Sequence, residues 1–450
     1  MRIPQTPRPA NDIIAEIGDD RFWELLRNPM IDDRYLHWDE LRWRPLPEGI
    51  ENHHEWWLRT KFARATRAIP GLVDAQGRSF VLSNPDSALE LLHRIDGNLM
   101  GMIGAPEQIV NPSTRSRYLL SSLIEESVRS SQLEGAVTTR KEAQDIIRSG
   151  RMPRTRDERM VVNNYRAMEF VGEHRGEDLT TEFVLEVHRI VTEGTLDNPD
   201  AAGRFQRPDE TRVAVWDETD GRQLHAPPPA EQLQDRMLRL CEFANQTKGP
   251  FLHPVVRSII LHFWLAYDHP FEDGNGRTSR ALFYWSMLHH DYWLVEFLSI
   301  SKILRAAPVS YGRAFLFTET DDNDVTYFVL HQLRVIAKAI DALNDYIATK
   351  ASEVREVERL AHDTDLNHRQ LALLSHALRN PGYRYTYKSH AASHRVVRQT
   401  ARTDLNDLVL RGFLRRSNDG KRHVFVAPTE LGSLLRQPEE SLPGLELPAE

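Results

Sequence analysis

His269-Pro270-Phe271-Glu272-Asp273-Gly274-Asn275-Gly276-Arg277-Thr278-Ser279-Arg280 is the stretch on which the reading of this chain turns. Helical apolar periodicity flanks it on both sides, from Pro254 to Tyr267 and from Thr278 to Leu288. The pattern predicts a helix, a polar loop with two glycines and a second helix opening near Arg277. Glycines let backbone N–H groups come close to a ligand, and a helix start offers unpaired N–H donors with positive dipole character. Arg277 and Arg280, three apart, share one helical face and can fork onto phosphate oxygens. Asp273 is a hard oxygen donor suited to Mg²⁺, which takes a carboxylate plus substrate phosphates more readily than a full protein cage. His269, with an ordinary pKa of ~6.5, can take a proton at neutral pH. Each residue alone has a bland explanation as a turn, a loop or a solvated face. Together within twelve positions they describe a base, a metal ligand, an anion cradle and two phosphate clamps.

Outward from the loop, helical patterns cover 157–174, 180–194, 229–245, 253–268, 277–290 and 325–348, and one long pattern runs from Thr114 to Arg148 with Leu119, Leu120, Leu123, Ile124 and Val128 on its stripe. A single β signal interrupts them. Arg212 to Trp216, then Asp220-Gly221, then Arg222 to Ala226 reads as a hairpin ended by Pro227-Pro228-Pro229. Five tryptophans, Trp23, Trp38, Trp43, Trp56 and Trp57, crowd the first sixty residues. Because indoles bury large areas, this region is expected to pack on a larger body, with an aromatic ligand site as the alternative.

Past 361–366, which reads as a linker, the composition changes. Asn367-His368-Arg369-Gln370 has capping-box form, Pro381-Gly382 stops the helix that follows, and further helices are expected over Lys388–His394 and from about Val397 to Arg411 with Val397, Ala401, Leu405 and Leu408 inward. A hairpin from Phe413 to Val426 completes the outline of a winged helix. Residues 388–423 carry nine basic side chains against three acidic ones, and Arg395, Arg398, Gln399 and Arg402 lie opposite the apolar stripe, as a major-groove reader would need. Docking of a target or of a second copy is the competing use of that face.

The 450 residues suit two to four domains, and 40% hydrophobic with 27% charged residues excludes a disordered or collagen-like chain. One cysteine, Cys241, excludes an internal disulfide. No signal-like start and no apolar run near the ~20 residues of a membrane span are visible, so the expectation is a cytoplasmic protein away from the membrane. A net charge of -8 argues against coating nucleic acid along the whole length, though not against one basic patch.

The loop resembles, at every position, the signature of the Fic family (filamentation-induced by cAMP), H-x-F-x-[D/E]-G-N-G-R-x-x-R. The likeness extends over about Tyr118 to Leu343. Residues 118–135 look like the family's inhibitory helix, whose S/T-x-x-x-E-G/N motif is met by Ser130, Glu134 and Gly135; Ala202-Gly203-Arg204-Phe205 looks like the approach to its flap, with Gln206 where relatives usually carry Arg. The resemblance implies transfer of AMP from ATP to a Tyr, Thr or Ser hydroxyl of a target protein, with release of pyrophosphate. It implies His269 as base, Phe271 as anchor, and Asp273 holding Mg²⁺ (Mn²⁺ as the alternative). It implies an anion hole from Asn275 and the amides near Gly274 and Gly276, Arg277 on the β-phosphate and Arg280 on the γ-phosphate. Val213 and Val215 would belong to the flap that clamps the target. Glu134 would pair with Arg280 and hold the enzyme off. Tyr311 and Asn323 fall where relatives place adenine-pocket groups, while His188 reads as a satisfied core histidine. AMP removal, phosphoryl transfer, or a DNA-binding regulator whose Fic domain only senses nucleotide stay as alternatives, and a homodimer fits the family type without an interface being named.

The expected architecture is mainly α: a Fic-type helical bundle with a β-hairpin flap over 87–349, preceded by the Trp-rich region 1–86. A helix end and linker at 350–366, a small α+β winged-helix domain at 367–430 and a loose tail at 431–450 follow.

Overall fold

The computed structural model describes residues 1–27, 34–100, 112–217, 220–246, 250–363, 366–379, 382–394, 396–419, 422–428 and 430–435. The hairpin tip at 218–219, part of the expected linker at 364–365, Pro381, Arg395, Lys421 and the tail from 436 lie outside these. The protein is mainly α and divides into two compact units, Met1–Leu343 and Asn344–Glu450.

At the centre of the first unit, α11 (Pro254–Asp268) and α12 (Asn275–His289) pack on each other. Pro254 at the first helical position and His253, whose side chain accepts from the Val255 N–H, start α11, and apolar residues on all sides bury it almost throughout. It stops where His269 turns left-handed (φ 46°). Around this pair lie α8 (Arg156–Glu173), α9 (Thr181–Thr192) and α10 (Leu233–Asn245), with α13 (Ile300–Ala306), α14 (Pro308–Thr320) and the start of α15 (Thr326–Asp363) after it.

The pattern from Thr114 to Arg148 is not one helix. It divides into α6 (Pro112–Leu133) and α7 (Arg140–Ser149) because Thr139 and Glu142 form a reciprocal capping box that starts a new helix. Glu134 and Gly135 therefore sit in the turn after α6 rather than mid-helix. Residues Ile124, Val128, Ala143 and Val161 lock α6 and α7 onto α8.

The N-terminal region folds as α1 (Ala10–Ile17), α2 (Asp19–Arg27), α3 (Trp38–Leu41) and α4 (His53–Ala63) around Trp38, Trp56 and Trp57. Trp23 and Trp43 are 57% and 73% exposed, so the expectation of collective burial fails for two of the five. An unforeseen antiparallel pair, β1 (Arg67–Val73) with β2 (Ser79–Leu82), leads into α5 (Asp86–Leu99). The foreseen hairpin is shorter than its sequence pattern. Only β3 (Val215–Trp216) and β4 (Gln223–His225) pair, with a register shift between Val215 and Trp216, because Arg212 is drawn away to other partners.

In the second unit, α16 (His368–Arg379), α17 (Tyr387–His394) and α18 (Arg398–Leu410) are followed by the antiparallel pair β5 (Arg415–Asp419) and β6 (Arg422–Val426) and a last turn, α19 (Leu431–Leu434). The Asn367 and Gln370 side chains each accept from the other's backbone N–H (2.9 and 3.1 Å) and start α16. Leu374, Leu405, Leu408 and Phe425 are fully buried at its core. Val397, expected inward, is 70% exposed, since it caps α18 from outside.

Candidate functional site

The loop between α11 and α12 is held from beneath. Phe271 is fully buried and stacks on His188 of α9 with ring centroids 3.7 Å apart. The Gly203 N–H donates to His188 Nδ1 (3.0 Å), so Nε2 carries the proton and donates to the Asp273 carbonyl (2.9 Å). His188 is thus a core histidine whose two nitrogens brace the loop. Asn275 does not aim its side chain outward, as an anion hole would ask. Its Oδ1 accepts from the Phe271 N–H (2.9 Å) and its Nδ2 donates to the Phe271 carbonyl (2.8 Å), closing the loop on itself. What Asn275 leaves for a ligand is its backbone amide in the first turn of α12.

Behind His269, Asp268 is buried against Arg236 (2.7 Å) and the Trp264 indole N–H (3.1 Å), which fixes the end of α11. His269 Nδ1 faces the Ala266 carbonyl at 3.3 Å, leaving Nε2 to accept a proton. Burial pulls its pKa down to about 4, so the ring is neutral at pH 7.

Gly274 has φ 83°, and a Cβ there would lie 2.7 Å from Thr192 Cγ2, so both conformation and space demand glycine. At Gly276 the closeness is to Glu134. A Cβ would fall on its Oε1, so that carboxylate oxygen already lies over the first turn of α12, where an anion would be received. Arg280 Nη2 donates to Glu134 Oε1 (2.8 Å) and to the Ser130 carbonyl (3.1 Å), while its Nε donates to Ser130 Oγ (2.9 Å). The Glu134 contact is single-point. Arg277 is fully buried, with Nη1 on the Val191 carbonyl (2.9 Å) and Nη2 3.4 Å from Asp273 Oδ1. Among the described residues its Nε and Nη2 have no hydrogen-bond partner, a costly state for a buried cation that an incoming anion would relieve.

Asp273 is 36% exposed at the loop's edge; Oδ1 accepts from the Gly274 N–H (2.5 Å) and Oδ2 lies 3.5 Å from Arg156. Among the described residues no three acidic, His or Cys side chains gather to hold a metal. One accessible carboxylate fits a cation that takes its other oxygens from a substrate.

The hairpin base is tied to the loop. Arg212 Nη2 donates to the Asp268 (2.8 Å) and His269 (3.1 Å) carbonyls, and Gln206 Oε1 receives Arg212 and the Val213 N–H (3.3 Å). Val213 and Val215 are half-buried. His225 of β4 meets Glu319 Oε2 (2.9 Å) and the Tyr267 carbonyl (2.7 Å), two contacts that no sequence signal announced. Tyr311 lies by the site, its hydroxyl 2.9 Å from His262 Nε2. Asn323 donates to Asp74 (2.9 Å).

The site is thus a glycine-paced helix start on a helical pair, with an imidazole at one lip and buried arginines beneath. The model of the Fic/DOC family matches residues 178–287, so this part of the chain is similar to a Fic domain. Over 108 residues the chain is 34% identical to a protein adenylyltransferase Fic of Nematostella vectensis, and over 105 residues 38% identical to one of Drosophila grimshawi; these cover 24% and 23% of this chain. The match spans only 22% and 19% of those curated relatives' own length. A solved Fic family protein from Desulfovibrio desulfuricans aligns over 77% of this chain and 97% of its own at 20% identity, with a TM-score of 0.47. Among the described residues no helix is long and apolar enough to cross a membrane.

Proposed function

We propose that this protein is an adenylyltransferase that moves AMP from ATP onto a Tyr, Thr or Ser hydroxyl of a target protein. The observation that carries this reading is the pairing of a neutral His269 with a fully buried Arg277 whose Nε has no hydrogen-bond partner among the described residues and whose Nη2 is matched only by an Asp273 oxygen at 3.4 Å. His269 takes the proton from the attacking hydroxyl as its oxygen bonds to the α-phosphorus and pyrophosphate leaves. The amides of 275–277 face the α-phosphate; Arg277 and Arg280 hold the β- and γ-phosphates. Asp273 would hold Mg²⁺, which neutralises phosphate charge when bound. Val213 and Val215 line the flap edge where an extended target segment lies. Catalysis on this reading is positioning plus charge stabilisation. The relatives named above are adenylyltransferases, which favours AMP transfer over AMP removal or phosphoryl transfer.

Glu134 is the brake on this reading. Its oxygen fills the cradle over Gly276 and grips Arg280, the two features a triphosphate needs. With ATP labelled in the α-phosphate and Mg²⁺, Glu134→Gly raises labelling of the protein itself or of lysate proteins at least tenfold, the order of one charge-assisted contact. His269→Ala in that background removes it. Equal labelling with and without Glu134 overturns the brake, and labelling that survives His269→Ala overturns the chemistry.

A second reading, duplex DNA binding by the C-terminal unit, has its own observation. Arg398, Gln399 and Arg402 are exposed on α18, whereas Asp404 on the same helix is turned inward and 3% exposed, so the outer face of that stretch is basic. Salt-sensitive binding of random duplex by the full chain, lost in Arg398→Glu/Arg402→Glu, supports it; no binding at low salt excludes it.

A further inference from the structure

Glu126, Ser130 and Glu134 recur at four-residue spacing, so they line one side of α6 and its closing turn. Ser130 and Glu134 meet Arg280. Glu126, about two turns earlier, meets something else. It is 1% exposed, and both of its oxygens are taken by the start of α13. Oε2 accepts from Ser299 Oγ (2.9 Å) and the Ser301 N–H (3.0 Å), and Oε1 accepts from Ser301 Oγ (2.5 Å). Among the described residues no Lys or Arg lies within ion-pair distance of it, so these hydrogen bonds, with the Tyr284 hydroxyl and the more distant charge of Arg280, compensate the buried carboxyl. At the other end of α13, Arg305 Nη1 donates to the Gln132 carbonyl (3.2 Å). The short helix therefore grips α6 at two heights.

The strength of the brake makes this grip matter. The Glu134–Arg280 contact is single-point, and the Glu134 side chain is 27% exposed. Partly exposed ion pairs of that kind contribute little on their own, too little to exclude a triphosphate. They become effective when the carboxylate is held in place beforehand, so that no ordering cost is left for the contact to meet. We propose that Glu126 is the positioning residue of the brake: its buried clamp on Ser299 and Ser301 fixes the rotation and height of α6, and so sets Ser130 and Glu134 against Arg280. The proposal rests on the reading of Glu134 as a brake. Neither Glu126 nor α13 touches the loop 269–280 by any hydrogen bond described above.

The test is self-labelling from α-labelled ATP with Mg²⁺, for wild type, Glu126→Ala, Glu126→Gln, Ser301→Ala, Glu134→Gly and Glu126→Ala/Glu134→Gly. Glu126→Ala is expected to raise labelling roughly tenfold over wild type, the order of losing a charge-assisted hydrogen bond. Glu126→Gln, which can still bond both serines, stays within about twofold of wild type, since a neutral bond replaces a charged one in place. The double variant labels no faster than Glu134→Gly alone, because nothing is left to position. A residue with only a structural role would instead lower labelling in both backgrounds. If Glu126→Ala does not fold, Ser301→Ala carries the test, with a smaller rise in the same direction. A rise with Glu134→Gly but none with Glu126→Ala or Ser301→Ala overturns this inference alone. No rise with Glu134→Gly overturns the brake itself, and the inference with it.

Discussion

At the scale of the residue, the proposed transfer depends on a histidine kept from its proton. A general base must be unprotonated when substrate arrives, and an ordinary histidine at pH 6 is mostly charged. His269 avoids this through burial at the end of α11, with a smaller effect from its neighbours, and the Ala266 carbonyl selects the tautomer that exposes Nε2. The sign follows directly. A folded pKa near 4 leaves the ring neutral at every pH above about 5, so its readiness as a base does not change between pH 6 and 8. Titration of the His269 ring followed by NMR in the nucleotide-free protein is expected to show an inflection near pH 4, and labelling by Glu134→Gly should show no acidic limb centred at 6.5. An inflection close to 6.5 would show that the ring is solvated and the burial argument wrong. Gly276 makes a complementary point: its missing side chain matters for the oxygen it admits, since Glu134 Oε1 lies too close for any Cβ there.

At the scale of the element, much of this was legible in the residues, and the exceptions have physical causes. The loop and its two helices could be read because apolar periodicity ends sharply at His269 and resumes after two glycines. Arg280 with Ser130 and Glu134 came from a motif 150 positions upstream, which no local pattern connects to the loop. His188 was foreseen as a satisfied core histidine, yet its service under Phe271 and Asp273 was not, because stacking across α9 leaves no trace in spacing. The division of α6 from α7 is hidden because an apolar stripe runs on through the break, and the Thr139–Glu142 capping box is the signal that marks it. Asn275 shows the opposite error. A polar side chain in a glycine-rich loop suggests a ligand, but the backbone of Phe271 claims it. The β1–β2 pair went unread because Pro70 and Gly71 interrupt its alternation. His225, which ties the hairpin to the end of α11, and Gln206, whose N–H donates to the Pro270 carbonyl, depend on partners far along the chain and leave no local pattern.

At the scale of the whole molecule, the two units store their acid sensitivity differently. In Met1–Leu343, burial pulls His37, His188, His269 and His331 down to about 4 and His262 to about 3. Unfolded, each would titrate near 6.5, so below that pH the unfolded chain binds protons that the folded one refuses. Each such histidine withdraws up to about 1.4 kcal/mol of stability per pH unit as pH falls from 6.5 toward 4. Glu126, Asp268 and Asp324, raised by burial, work in the opposite direction, but only between their own pKa and the ordinary carboxylate value. The second unit turns on Asp404. Burial alone would raise its pKa, but hydrogen bonds from Arg369, Asn367 and His390 overcome this and hold it at about 2. Its contribution is complete above about pH 4 and is lost only as pH falls toward 2, leaving His394, lowered by burial, as the group there that weakens with mild acid. Between pH 7.5 and 5 the first unit should therefore lose more of its melting temperature than the second. The sequence supplies the probe, since all nine tryptophans lie at or before Trp293. Selectively excited indole fluorescence reports the first unit alone, while far-ultraviolet dichroism reports both. The expected result is an indole transition that moves to lower temperature at pH 5 and separates from a later dichroism step. Transitions that shift together, or a dichroism step that precedes the indole signal, would contradict this assignment of the buried histidines.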